Sequence, residues 1–181
     1  MARLFIGIDF PEELKASITQ IIPNEKGFKK PLSSQIHLTL RFIGNVTECS
    51  QQNIIQNLNA HSTSSCFPLI IRGAGCFILK KIPQVLWIST EPCPALEILK
   101  NKIDDALWPL GFKKENREFV PHITIARLKD ISAEKIRAWL EKYKDFYCPT
   151  TMINKFYLFS SQLSPEGAIY TKEAEFLLRT N

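Results

Sequence analysis

Two of the three histidines in this chain head the same four-residue pattern, His37-Leu38-Thr39-Leu40 and His122-Ile123-Thr124-Ile125. Along an extended strand successive side chains alternate faces, so a His and a Thr two positions apart stand side by side while the Leu or Ile between them points into a core. One such strand alone reads as a satisfied buried histidine; two copies read as chemistry. An unperturbed imidazole titrates near ~6.5, so at neutral pH one ring can accept a proton while a second, held protonated by an anion, donates one. Placed on opposite sides of a phosphodiester, His37 and His122 supply a general acid and a general base without a metal. The Thr39 and Thr124 hydroxyls then suit the non-bridging oxygens, where charge sits in the transition state. An arginine follows each pattern within five residues, Arg41 and Arg127. Simple alternation puts Arg41 on the face of Thr39, within reach of phosphate or on its rim.

The elements that must carry these side chains follow from punctuation and periodicity. Arg3 to Phe10 reads as a strand, closed by Pro11, which starts a helix that Pro23 stops. Ile36 to Ile43 is the first motif strand, ended by Gly44. Thr47 caps a helix to about Asn59. Phe67 to Phe77 and Val85 to Thr90 read as two strands joined at Lys80-Lys81-Ile82-Pro83. A helix from Pro94 to Leu107 precedes the second motif strand, His122 to Arg127, which starts behind Pro121. Ser132 then opens the helix Ala133 to Tyr143, and strands Met152 to Phe159 and Ala168 to Leu178 flank the turn Ser164-Pro165-Glu166-Gly167. The motif histidines are 122 − 37 = 85 residues apart, close to half of 181. The pattern predicts an α+β fold: a two-lobed, pseudo-twofold arrangement of antiparallel sheets flanked by helices, with one motif facing a central cleft from each lobe. No linker or low-complexity tract interrupts residues 1–181, so one two-lobed domain and a monomer are expected.

Composition narrows the class. At 45% hydrophobic and 23% charged residues, the chain can bury one substantial core. No apolar run approaches the ~20 residues of a membrane span, and Met1-Ala2-Arg3 runs straight into a strand rather than a leader, which suggests a cytoplasmic protein. The five cysteines, Cys49, Cys66, Cys76, Cys93 and Cys148, show no C-x-x-C spacing, against a zinc site or a disulfide framework. The net charge of +5 favours an anionic partner. Lys26, Lys29 and Lys30, Lys80 and Lys81, and Lys113, Lys114 and Arg117 form clusters that line a groove for a polyanion or decorate solvated turns.

The chain also resembles the two-histidine phosphoesterase superfamily, and within it the RNA 2′,3′-cyclic phosphodiesterases, also called 2′-5′ RNA ligases. The resemblance is carried by Arg3-Leu4-Phe5-Ile6-Gly7-Ile8-Asp9-Phe10-Pro11, by His37 to Gly44, by Pro83-Gln84-Val85-Leu86-Trp87 and by Leu110-Gly111-Phe112. It continues through Pro121-His122-Ile123-Thr124-Ile125-Ala126-Arg127 and Ser161 to Tyr170. It implies opening of a terminal RNA 2′,3′-cyclic phosphate to a 2′-phosphate without metal or cofactor. It implies His37 and His122 as the catalytic histidines, with Thr39, Thr124 and Arg127 holding the phosphate; we take His37 as proton donor to the 3′ oxygen and His122 as proton acceptor from water, an order the sequence leaves open. Two departures touch nucleotide recognition: Lys29-Lys30-Pro31-Leu32 where members often have an aromatic, and Gln84 where an arginine is common.

The remaining residues carry weaker expectations. Phe42 and Tyr170 can stack on a nucleobase or pack in the core. Trp87, Trp108 and Trp139 fall at apolar positions of predicted elements and are assigned to packing. His61, in His61-Ser62-Thr63-Ser64-Ser65, reads as a surface-loop residue. Three functions stay open: the cyclic phosphodiesterase with RNA ligation as a secondary activity, a phosphodiesterase for another cyclic or 2′,5′-linked nucleotide, and a non-catalytic RNA-end binder. A binder has no need of two titrating groups. A metal-dependent nuclease is disfavoured because no carboxylate cluster accompanies the motifs.

Overall fold

Every apolar side chain that alternates with a motif residue finds the same core, and this decides the architecture. The computed structural model describes residues 1–61, 64–164 and 167–180. The first strand, β1 (Ala2–Asp9), buries Leu4, Ile6 and Ile8; the motif strands β3 (His37–Val46) and β7 (His122–Leu128) bury Leu38 and Leu40, and Ile123 and Ile125. These meet helices α1 (Glu12–Gln20), α2 (Glu48–His61), α3 (Pro94–Leu107) and α4 (Ala133–Tyr143) in one apolar cluster. The helix starts are those the sequence marks: Pro11 precedes α1, Ser50 N–H donates to Thr47 Oγ1 ahead of α2, and Lys135 N–H donates to the Ser132 hydroxyl at α4.

The sheet runs β10-β9-β1-β3-β7-β6-β5, with β2 (Phe28–Lys29) also paired to β7. The remaining strands are β5 (Ile71–Leu79), β6 (Ile82–Thr90), β9 (Lys155–Ser164) and β10 (Gly167–Leu177). All pairings in this sheet are antiparallel. Four strands on each side of the β3–β7 seam make two pseudo-equivalent halves. That seam is a single pair, Leu38 opposite Ile123.

Several boundaries differ from expectation. The segment from Phe67 breaks into β4 (Phe67–Leu69) and β5, and the one near Met152 into β8 (Thr151–Ile153) and β9, because β4 and β8 leave the large sheet to pair with each other. The β5–β6 turn is only Lys80-Lys81; Ile82 and Pro83 belong to β6. Strand β3 continues through Gly44 to Val46 rather than ending there, because Gly44 adopts φ +94° opposite Leu4. His61 ends α2 instead of lying in a loop, while Ser62 and Thr63, and Pro165 and Glu166 of the expected last turn, lie outside the described residues. No described helix is long and apolar enough to cross a membrane. All five cysteines are free thiols, with Cys148 buried.

Candidate active site

The face of the sheet opposite the helices carries both motifs. With Leu38 opposite Ile123 in an antiparallel pair, each histidine falls across the seam from the threonine of the other motif: His37 toward Thr124, Thr39 toward His122. All four are half-buried.

Both imidazoles are held in the same way. His37 Nδ1–H donates to the carbonyl of Gln35 and His122 Nδ1–H to that of Val120, each at 2.7 Å and each from two residues upstream. A carbonyl only accepts, so Nδ1 carries the proton and Nε2 presents its lone pair to the cleft. The Thr39 hydroxyl donates to His37 Nε2 at 3.1 Å. Burial, the largest cause, pushes the His37 pKa down to about 4, against the Gln35 carbonyl and Asp9, which raise it; the nearby His122 ring lowers it further. Burial also lowers His122, opposed by the Val120 carbonyl. Both rings are therefore neutral at pH 7 in the free protein.

The two halves differ in what stands beside each ring. Asp9 of β1 pairs with His37, whereas Ser89 of β6 pairs with His122. Burial alone would raise the Asp9 carboxyl, but hydrogen bonds from Lys15 (2.7 Å) and Lys172 (2.6 Å) outweigh it and hold Asp9 ionised below its ordinary range. Aromatic walls line both sides. Phe5 lies 4.8 Å and Tyr170 5.2 Å from the His37 ring, above a small buried cluster of Phe5, Tyr157 and Phe159. Phe77 lies 4.8 Å and Trp87 6.2 Å from the His122 ring.

A matching irregularity follows each motif. Along β1 and β3 the pairing steps from Gly7–Thr39 to Ile6–Arg41, so Leu40 is the extra residue of a bulge; along β6 and β7 it steps from Trp87–Thr124 to Leu86–Ala126, leaving Ile125 extra. A bulge reverses face parity. Arg41 therefore pairs with the core residue Ile6 instead of joining Thr39, and is 6% exposed. Its Nη2 donates to the Lys113 carbonyl, and it meets Asp104 and Glu115 at 3.4 Å. The expectation that Arg41 reaches phosphate fails on this bulge. The residues that share the motif face are Phe42 in one half and Arg127 in the other: Phe42 is exposed, pairs with Phe5 and lies 5.7 Å from its ring, and Arg127 is exposed between Lys29 and Val85.

The tryptophans divide. Trp139 packs in the core and donates Nε1–H to the Ile21 carbonyl, as assigned. Trp108 is 58% exposed just past α3, not packed, because the chain turns there through Pro109. Trp87 lies on the site face over Gly75, whose missing side chain leaves room for the indole, and its buried Nε1 has no hydrogen-bond partner among the described residues. Sequence reasoning missed Trp87, Phe77, Phe5 and Asp9. Trp87 was open to detection, since it alternates between buried Leu86 and Ile88. Of the basic clusters, Lys114 is tied to Asp105 at 2.6 Å, while Lys29 and Lys30, Lys80 and Lys81, and Arg117 are exposed. Among the described residues no group of three or more His, Cys, Asp or Glu is arranged to hold a metal ion.

Known proteins resemble the chain in sequence and in fold. Residues 86–170 match the family model described as LigT like Phosphoesterase. The RNA 2′,3′-cyclic phosphodiesterase of Methanocaldococcus jannaschii is 35% identical over 171 residues, 93% of this chain and 96% of that protein. That of Thermotoga maritima is 33% identical, over 93% of this chain and 91% of its own. Among solved structures, TT0787 of Thermus thermophilus superposes with a TM-score of 0.82 at 24% identity. Escherichia coli LigT complexed with 3′-AMP gives 0.79 at 23%; each match covers 98% of both chains. Those two likenesses establish the shared fold.

Proposed function

The chain belongs to the RNA 2′,3′-cyclic phosphodiesterases of the LigT-like phosphoesterase family, and from that membership we propose that it hydrolyses a terminal RNA 2′,3′-cyclic phosphate to a 2′-phosphate by paired-histidine acid–base catalysis. The observation that carries this reading is the matched pair of imidazoles, each locked by a backbone carbonyl so that a bare Nε2 faces the cleft. His122, neutral and with no carboxylate at its side among the described residues, takes a proton from water as the water oxygen bonds to phosphorus. The bond from phosphorus to O3′ breaks, and His37 gives its proton to O3′. Asp9 beside His37, together with the anionic phosphodiester, favours the imidazolium there despite the burial that depresses it.

Thr39 couples the two events. Its hydroxyl donates to Nε2 only while that nitrogen is bare. Once His37 is protonated the hydroxyl is released to a non-bridging oxygen, which Thr124 and the Arg127 guanidinium contact from the other half. The same base and acid serve a 5′-hydroxyl that attacks phosphorus in place of water, with O3′ again leaving and taking the His37 proton, so 2′-5′ RNA ligation is the secondary activity of this site. The substrates are RNA ends, and no step calls on a metal.

The test is turnover, in EDTA, of a short RNA ending in a cyclic phosphate. The intact protein is expected to yield a 2′-phosphate, and His37→Ala or His122→Ala each to lower kcat by about 10²–10⁴-fold. Loss of activity in EDTA would remove the metal-free mechanism; a 3′-phosphate product would reverse which oxygen leaves.

A further inference from the structure

The β5–β6 hairpin projects from the site with a chemistry the reaction centre does not use. Its two-residue turn, Lys80-Lys81, has both residues at positive φ, +49° and +66°. That is the backbone of a tight hairpin turn whose natural occupants are Asn-Gly, and lysine is strained there. Strain held in the described structure at a surface turn asks for a reason outside the fold. Neither lysine has a carboxylate within ion-pair distance among the described residues, and Ile78, Leu79 and Ile82 around them are 65%, 64% and 58% exposed. The hairpin is continuous with the site: Phe77, the ring 4.8 Å from His122, lies three residues before Lys80 on β5, roughly 10 Å at strand spacing. Across the sheet from Phe77 run Val85, Arg127 and Lys29, so cations continue on the same side. The pseudo-equivalent hairpin of the other half, β9–β10, also exposes aliphatics, Leu163 and Ile169, yet its described end residues, Leu163, Ser164, Gly167, Ala168 and Ile169, include no basic side chain.

From this asymmetry we infer that the β5–β6 hairpin is an RNA-binding arm: the strand leading to the cyclic phosphate leaves the cleft past Phe77 and Trp87, and Lys80 and Lys81 hold its next phosphates. The inference rests on the RNA-end reading above and extends it to how more than the terminal nucleotide is recognised. The exposed aliphatics give unstacked bases an apolar surface, and the lysines give affinity without sequence preference. Among the described residues, the buried Nε1–H of Trp87 on this path also lacks a hydrogen-bond acceptor.

The turn geometry supplies a clean test, because Lys80→Asn with Lys81→Gly removes both charges while installing the residues the turn prefers. The double variant should keep or raise the Tm. It should hydrolyse a nucleoside 2′,3′-cyclic monophosphate as the parent does, yet lose roughly 5–20-fold in kcat/KM on an oligoribonucleotide with the same end at low salt. The slope of log affinity against log salt should become shallower by about 1.4, two phosphate contacts of a single strand. Equal effects on the two substrates, or none, would overturn the arm. So would binding to anionic phosphatidylserine vesicles that depends on the lysines while oligonucleotide turnover does not. Should the parent turn over neither substrate, the reaction assignment fails, and fluorescence anisotropy of the labelled oligonucleotide with parent and variant still decides the arm.

Discussion

A guanidinium buried between Asp104 and Glu115 and one standing in solvent beside Lys29 do different work, and substitution separates them. Arg41→Met leaves Asp104 with Lys100 alone, at 2.6 Å, and removes the donor to the Lys113 carbonyl. It should cost roughly 2–4 kcal/mol of stability, since removing one partner strands buried charge, while kcat/KM measured well below the Tm changes little. Arg127→Met should do the reverse: stability within about 0.5 kcal/mol, and kcat/KM down roughly 10–100-fold as charge-assisted bonds to phosphate are lost. Urea unfolding and steady-state kinetics on both variants check the pair. Alternation carried His37, Thr39, His122 and Thr124 onto one face, because it needs only two regular steps between His and Thr, whereas Arg127, an odd number of residues further on, reaches that face only through the Ile125 bulge and was assigned to the phosphate by resemblance alone. It misplaced Arg41 because the inserted residue, Leu40, is an ordinary aliphatic with no mark in the sequence. The carbonyls of Gln35 and Val120, which set both imidazoles, are backbone groups and leave no trace in residue type.

At the scale of elements, the site depends on how closely β1 approaches β3. Gly7 pairs with Thr39, and a Cβ added there would stand 2.8 Å from the Leu38 carbonyl oxygen and 3.6 Å from His37 Cδ2. The first contact is with backbone, so it is relieved only by spreading the two strands. Gly7→Ala is expected to cost roughly 1–3 kcal/mol and to lower kcat through the displaced His37 ring. A Tm drop with normal kcat at low temperature would show that the strands reseat without moving the imidazole. Helices were legible where caps and periodicity coincide: α3 and α4 begin and end where Pro94, Leu107, Ser132 and Tyr143 place them. Strands were legible as apolar runs, but the partition of Phe67–Phe77 and Met152–Phe159 between two sheets was not. Which strand pairs with which is settled by contacts distant in sequence, and the short β2 is a strand only because β7 lies beside it.

Over the whole molecule, joining two half-sheets at one seam places two imidazoles in a partly dry cleft, and this has a cost that pH reveals. In the unfolded chain a histidine titrates near ~6.5, whereas burial holds folded His37 at about 4. Between those values the unfolded state binds the proton and the folded state does not, so stability falls as pH drops through the window. The loss approaches roughly 3 kcal/mol near pH 4 for His37 alone, and depressed His122 adds to it with the same sign. Asp9, whose folded pKa is lowered by Lys15 and Lys172, is stabilising above the ordinary carboxylate pKa and extends the loss below the histidine window. The urea midpoint should therefore decline from about pH 6.5 toward 4, and His37→Gln, which cannot titrate, should flatten that decline. Inorganic phosphate should flatten it too, in the unsubstituted protein, because an anion between the imidazoles favours their charged forms and restores protons to the folded state. An equal decline with and without His37 would assign the acid sensitivity to His122 and the carboxylates. A decline that phosphate leaves untouched would separate the imidazoles from any anion site, and with it the proposed exchange of the Thr39 hydroxyl from Nε2 to phosphate oxygen.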